Sequence, residues 1–316
     1  MAINRCGKCG KIIKGIGVLC SGKYYHKDCL VCSYCGGKLT GSFVTIGKQL
    51  FHPECNPASG KLVCAYCRKH IEGSYVTLDG KNYHCDCYHN HIEKKCSVCG
   101  KPIGNGTYTY DEWGNYAHLT HGSQKTRFCF SCQRIISGPS KLIATNTELC
   151  SVCAISSVTS ASQVEACRKK VLSIFKSVGI LGIPENIPII LQSKDLMGDA
   201  LGYIRSSKSG FGKSYDFSIF MTNGLPELHF QGVLAHELLH SWLMLYGREV
   251  TEDECEGFCN LGSALVYEKT GTDFSVFLLK KEYKNKDRIY GDGYRLQKGR
   301  FEKLGWSGLL DSLKHK

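Results

Sequence analysis

His236, Glu237 and His240 form an HExxH motif. Two histidines four residues apart share one face of a helix and can hold one metal ion, with the intervening glutamate facing a metal-bound water. A zinc hydrolase needs a third protein ligand and an open fourth position. Glu256, sixteen residues past His240, is the expected third ligand. Cys255 and Cys259 are the alternatives, although their thiols are expected to pack. Zinc in such a site lowers the pKa of bound water towards about 7. Glu237 then takes the proton as water attacks a carbonyl and passes it to the leaving amine. The oxyanion needs one further donor. Tyr290, Tyr294 and Arg295 are the candidates, because they sit in a flexible, polar, glycine-rich loop, Tyr-Gly-Asp-Gly-Tyr-Arg. Packing tyrosines in a plain turn are the alternative reading there. His229 lies two turns before His236, about 10 Å along the axis, too far to join the same ion.

Specific elements must position these groups. A long helix should open near Pro226 and run through Leu243. A second should start at Thr251, with Thr251 as N-cap and Glu254 completing a capping box. Its apolar stripe is Cys255, Phe258, Cys259, Gly262 and Leu265, and Glu256 sits one turn inside, beside that stripe. Upstream, Ser160 or Ser162 should cap a helix over 162–178. Strands are expected at 187–191, 200–205 and 216–222, with a loop over 206–212. One of these strands is a candidate substrate-binding edge.

The 20 cysteines are lopsided: seventeen fall at or before Cys153. Cys6, Cys9, His26 and Cys29 have the spacing of one tetrahedral zinc site, and Cys32, Cys35, His52 and Cys55 repeat it two residues later. Each CxxC turn aims two sulfurs at one metal, and the second ligand pair arrives across a β-hairpin. Hairpins are expected at 18–25 and 42–51. The pattern returns at Cys64, Cys67, His84 and Cys87, then at Cys96, Cys99, His118 and His121, and finally at Cys129, Cys132, Cys150 and Cys153. His89 and His91 are possible substitutes at the third or fourth site. Every position of these five sites is filled by protein, which marks them as structural. Small hairpins bury too little surface to fold alone, and bound metal supplies the missing stability. Cys20, Cys85 and Cys167 fall outside the pattern and are expected to be buried as small apolar residues.

At its first eight ligands the sequence resembles the LIM domain, a protein-binding module. The order of LIM domain, imperfect LIM-like segment and HExxH domain resembles the ubiquitin-activated LIM peptidases that limit organ growth in plants. The local match lies at 235–243, at Glu256-Gly257-Phe258-Cys259 and at 290–295. The resemblance implies a zinc peptidase that cleaves intracellular proteins and is regulated through ubiquitin, here as a shortened or bacterial relative. The family's ubiquitin-interacting helices have no counterpart before Cys6. The expected architecture is multidomain. LIM-type zinc-ribbon and β-hairpin modules are followed by an α+β gluzincin-like metallopeptidase domain. The domains are LIM at 1–59, LIM-like at 60–155 and peptidase at 156–316. Five structural zinc ions and one catalytic zinc ion are expected.

The formal charge is +12, and a lysine-rich solvated surface accounts for it. No basic recognition helix with the twelve-residue ligand spacing of a nucleic-acid zinc finger is present, so protein substrates and ubiquitin or ubiquitinated proteins are the expected partners, not nucleic acid. No signal peptide and no membrane-length apolar run is seen, and unpaired thiols fit a reducing, cytoplasmic setting. Two other classes stand beside the peptidase: an inactive LIM scaffold, and a zinc protein directed to nucleic acid.

Overall fold

The computed structural model describes residues 4–20, 22–47, 49–56, 60, 62–104, 106–209 and 214–314. The chain divides into two compact units, Met1–Lys95 with Pro102–Asn105, and Cys96–Lys101 with Gly106–Lys316. The fourth and fifth Cys/His clusters therefore belong to the same unit as the HExxH helix.

The first unit is a series of short antiparallel hairpins, each followed by one tight helical turn. Val18–Cys20 pairs with Lys23–Tyr25, Val44–Ile46 with Gln49–Phe51, and Tyr75–Leu78 with Lys81–His84. Its apolar cores are small. Tyr25, Leu30, Leu39, Leu50 and Phe51 pack around Cys6, Cys32 and Cys55, and Ile71 and Tyr83 pack around Cys64. So little buried surface leaves the fold dependent on what ties the cysteines together.

The second unit has a larger core. A helix at Ala161–Ser177 is capped by Ser160, which forms a complete capping box with Gln163. Three strands form one sheet in the order Ile189–Gln192, Ser214–Thr222, Gly202–Ser209. The first pair is parallel and the second antiparallel, so Gly202–Ser209 is an edge strand. Residues 206–209, expected as loop, continue this strand, because each pairs across to 214–217; residues 210–212 of that expected loop lie outside the described residues. Four longer helices follow at Glu227–Tyr246, Glu252–Thr270, Asp273–Lys284 and Gly293–Leu313. The first of these is buried on most of its circumference, which is why its apolar residues show little one-sided periodicity. Thr251 caps the second through the Glu254 amide. The Glu254 carboxylate meets Arg248 at 3.2 Å and Arg300 at 2.7 Å.

Two glycines set the closest helix approach. A Cβ at Gly257 would lie 2.1 Å from the Gly293 carbonyl oxygen, and one at Gly293 would lie 2.3 Å from that of Asp253. The expected flexible loop over 290–295 is therefore a tight turn at Arg288–Asp292 leading straight into the last helix. Gly257→Ala should lower stability by about 1–3 kcal/mol through this backbone clash. Gly299→Ala, at a helical position with open space around it, should be neutral to stabilising. Thermal unfolding of the two variants reads the difference; equal midpoints would contradict the packing.

Candidate metal centre and cleft

Five Cys/His clusters bring their ligand atoms within 4.8 Å of one another: Cys6, Cys9, His26, Cys29; Cys32, Cys35, His52, Cys55; Cys64, Cys67, His84, Cys87; Cys96, Cys99, His118, His121; and Cys129, Cys132, Cys150, Cys153. The first three share one geometry. In each, histidine Nδ1 faces the sulfurs, at 3.4, 3.4 and 3.3 Å from Cys9, Cys35 and Cys67. Nε2 meets a backbone carbonyl fourteen residues earlier, on Ile12, Lys38 and His70. That contact fixes the ring and leaves the Nδ1 lone pair for a metal. Burial alone would raise the leading thiols, but backbone N–H groups outweigh it. They bring Cys6 to about 6, Cys32 to about 7 and Cys64 to about 6. Burial and the neighbouring sulfurs in turn raise Cys29 to about 11 and Cys87 to about 12, so a complete set of thiolates in one cluster needs a cation among them. In the fourth cluster His118 faces Cys99 through Nδ1, and His121 faces Cys96 through Nε2 at 3.1 Å.

His89 and His91 are engaged elsewhere: His89 pairs with Glu93 at 3.0 Å and His91 stacks on Tyr66. Cys167 is buried, but Cys85 is partly exposed, with its thiol reaching the Ser74 carbonyl, contrary to expectation. The Cys20 side chain lies outside the described residues.

The HExxH helix and the helix carrying Glu256 cross so that His236 Nε2 and His240 Nε2 lie 3.0 Å apart. Glu256 Oε2 is 3.0 Å from the first and Oε1 is 3.6 Å from the second. Zinc bonds of this kind give a tetrahedral edge of about 3.3 Å, so the spacing suits one ion. The hydrogen-bond chain also fixes the tautomer. Asn260 Nδ2 donates to the Tyr290 carbonyl at 3.1 Å, so Asn260 Oδ1 must face His236 Nδ1 at 2.8 Å. Nδ1 therefore carries the proton, and Nε2 points a lone pair at a carboxylate oxygen that is buried without a hydrogen-bond donor. The His236 lone pair and the Glu256 carboxylate thus face each other, which a cation between them relieves. Cys255 is not part of this triad. Its sulfur lies 3.5 Å from His240 Nδ1, on the side of the ring away from Glu256, and Cys259 is fully buried.

These groups open into a cleft of about 770 Å³. Glu237 lines it and is 5% exposed; burial raises its carboxyl above the usual range. The edge strand passes close by, since a Cβ at Gly202 would lie 3.1 Å from Glu237 Oε1 and 2.7 Å from Val233. Tyr290 lines the cleft, and burial followed by the charges of Glu256 and Glu237 raises its phenol. Tyr294 and Arg295 do not line it. Tyr294 is buried in the core, and Arg295 donates to the carbonyls of Tyr283 and Asn285 at 2.7 Å each and pairs with Asp292. Asn260 and Glu282, which the sequence reading passed over, belong to the cleft wall.

Asn260→Ala removes the group that orients His236 and should weaken metal binding at this site roughly 10- to 100-fold. Competition with a zinc chelator measures it, and unchanged affinity would contradict the assigned hydrogen-bond chain.

Residues 6–56 match the LIM domain family, and residues 186–276 match the DA1-like family, Protein DA1. The second match contains His236, Glu237, His240, Glu256 and Asn260. No curated protein matches the chain significantly. The chain thus carries a LIM domain and a DA1-like domain, matching the DA1-like LIM-domain protein family.

Proposed function

We propose that this chain is a zinc-dependent peptidase of the gluzincin type, acting on intracellular proteins, with its zinc modules recruiting or regulating partners. The convergence of His236, His240 and Glu256 beside a buried Glu237 in one cleft carries this reading. Zinc bound by those three residues would act as a Lewis acid and lower the pKa of a water towards about 7.

The chain's own groups supply the rest. Glu237 acts as general base and then general acid, and its raised carboxyl pKa suits both taking and returning a proton near neutral pH. The open edge of Gly202–Ser209 presents backbone groups to which an extended polypeptide can add as a further strand. Gly202 keeps that strand close to Glu237, so the added backbone passes the general base. Tyr290, still protonated at neutral pH, is the donor for the developing oxyanion. Five further zinc ions would sit in the closed Cys/His clusters and hold the hairpins folded.

Ubiquitin or ubiquitinated proteins are the proposed partners, on the strength of the family match. A cytoplasmic setting is proposed because the clusters need reduced thiols. Among the described residues, no helix is long and apolar enough to cross a membrane.

Glu237→Gln should keep its zinc and fold while losing cleavage by about 10²- to 10⁴-fold. Digestion of a protein mixture, with and without ubiquitin, measures this. Cleavage retained by the variant would refute the assigned base, and no cleavage by the parent protein would favour a LIM scaffold.

A further inference from the structure

A second cavity of about 770 Å³ lies beside the catalytic cleft. Leu201, His229, Glu282 and Asn285 line both spaces. The outer wall of the second cavity comes from the zinc hairpins, through Tyr110, Phe128 and Gln133. Phe277 and Leu278 of the Asp273–Lys284 helix face that wall. Apolar side chains supply most of the exposed surface between these walls, with Asp111, Glu112, Lys281 and Lys284 also in the lining.

The wall is held rigidly. Ser131, inside the Cys129–Cys132 turn, hydrogen-bonds His229 Nδ1 on the HExxH helix at 2.7 Å. Burial pushes His229 down to about 3, so the ring at the junction is neutral. Trp113 Nε1 donates to the Cys132 carbonyl at 2.8 Å, and its ring packs on Phe277. The backbone amide of Val158 donates to the Leu225 carbonyl at 2.9 Å, and that of Glu227 to the Ser156 carbonyl at 2.8 Å. Phe128 immediately precedes Cys129, so the fifth cluster fixes where Phe128 stands. On the opposite side, Leu201 immediately precedes the edge strand that begins at Gly202. A polypeptide paired along this strand and leaving it at the Gly202 end runs directly into the second cavity.

We propose that this cavity is a remote subsite of the cleft. It takes an apolar side chain of the extended substrate, away from the scissile bond, and Tyr110 and Phe128 of the zinc hairpins set that preference. This rests on the peptidase reading. The fifth zinc cluster is then part of the substrate-recognition wall as well as a folding element.

The test digests a peptide library prepared from a whole-cell protein extract with the zinc-loaded full chain, with Phe128→Lys and with Tyr110→Lys, and identifies the cut sites by mass spectrometry. The parent protein should enrich aliphatic or aromatic residues at one position outside the pair flanking the cut. Both variants should lose that enrichment in favour of Asp and Glu, with preferences next to the cut unchanged. For a long peptide carrying the apolar residue, kcat/KM should fall about tenfold or more. For peptides too short to reach the cavity it should not change. Tyr110 is 68% exposed, so its variant keeps the test intact if Phe128→Lys misfolds. An unchanged cleavage profile in a folded, active variant overturns the subsite and leaves the peptidase reading standing. Absence of any cleavage by the parent protein overturns both.

Discussion

Two imidazole nitrogens and the two oxygens of one carboxylate lie 3.0 to 3.6 Å apart in a largely buried site. The Asn260 contact removes the option of placing the bridging proton on His236 Nε2, so that nitrogen turns its lone pair towards the Glu256 carboxylate. Burying such a set is costly unless a cation or a proton compensates it. Much of the second unit serves to hold this arrangement. The helix crossing at Gly257 and Gly293 brings Glu256 forward, the turn at Arg288–Asp292 supplies the carbonyl that orients Asn260, and Gly202 lets the edge strand approach Glu237.

The five closed clusters and this open one use the same ligand chemistry to different ends. In the first three, one histidine nitrogen is tied to a carbonyl and four protein ligands surround a common point, which leaves no room for water. His236, His240 and Glu256 instead converge at the edge of a cleft, and in the proposed function an ion held there would keep its fourth position for solvent or substrate. The fifth cluster stands between the two roles, because the Ser131–His229 hydrogen bond joins its turn to the HExxH helix.

The Cys/His clusters were legible in the sequence because a CxxC turn is local, and a hairpin of nearly constant length brings the second pair home. The approach of Glu256 to His236 and His240 was legible from helix phase, since it sits one turn inside a capped helix next to the apolar stripe. Asn260 was not, because a polar residue on a helix looks solvated until another helix packs over it. The Tyr290–Arg295 run was misread for a related reason. Its glycines suggest mobility, but Gly291 and Gly293 are there because backbone carbonyls of Asn285 and Asp253 occupy the space of a Cβ. Tyr294 and Arg295 are consequently packing and tethering residues, and only Tyr290 reaches the cleft. The partner of His229 lies 98 residues away in sequence, beyond any local pattern.

The most direct measurement of the central claim is the zinc content of the purified full chain beside that of Glu256→Ala. The account predicts six zinc ions in the parent protein and five in the variant, with the ion missing from the HExxH site. Equal zinc content in the two proteins would contradict the assignment of Glu256 as the third ligand.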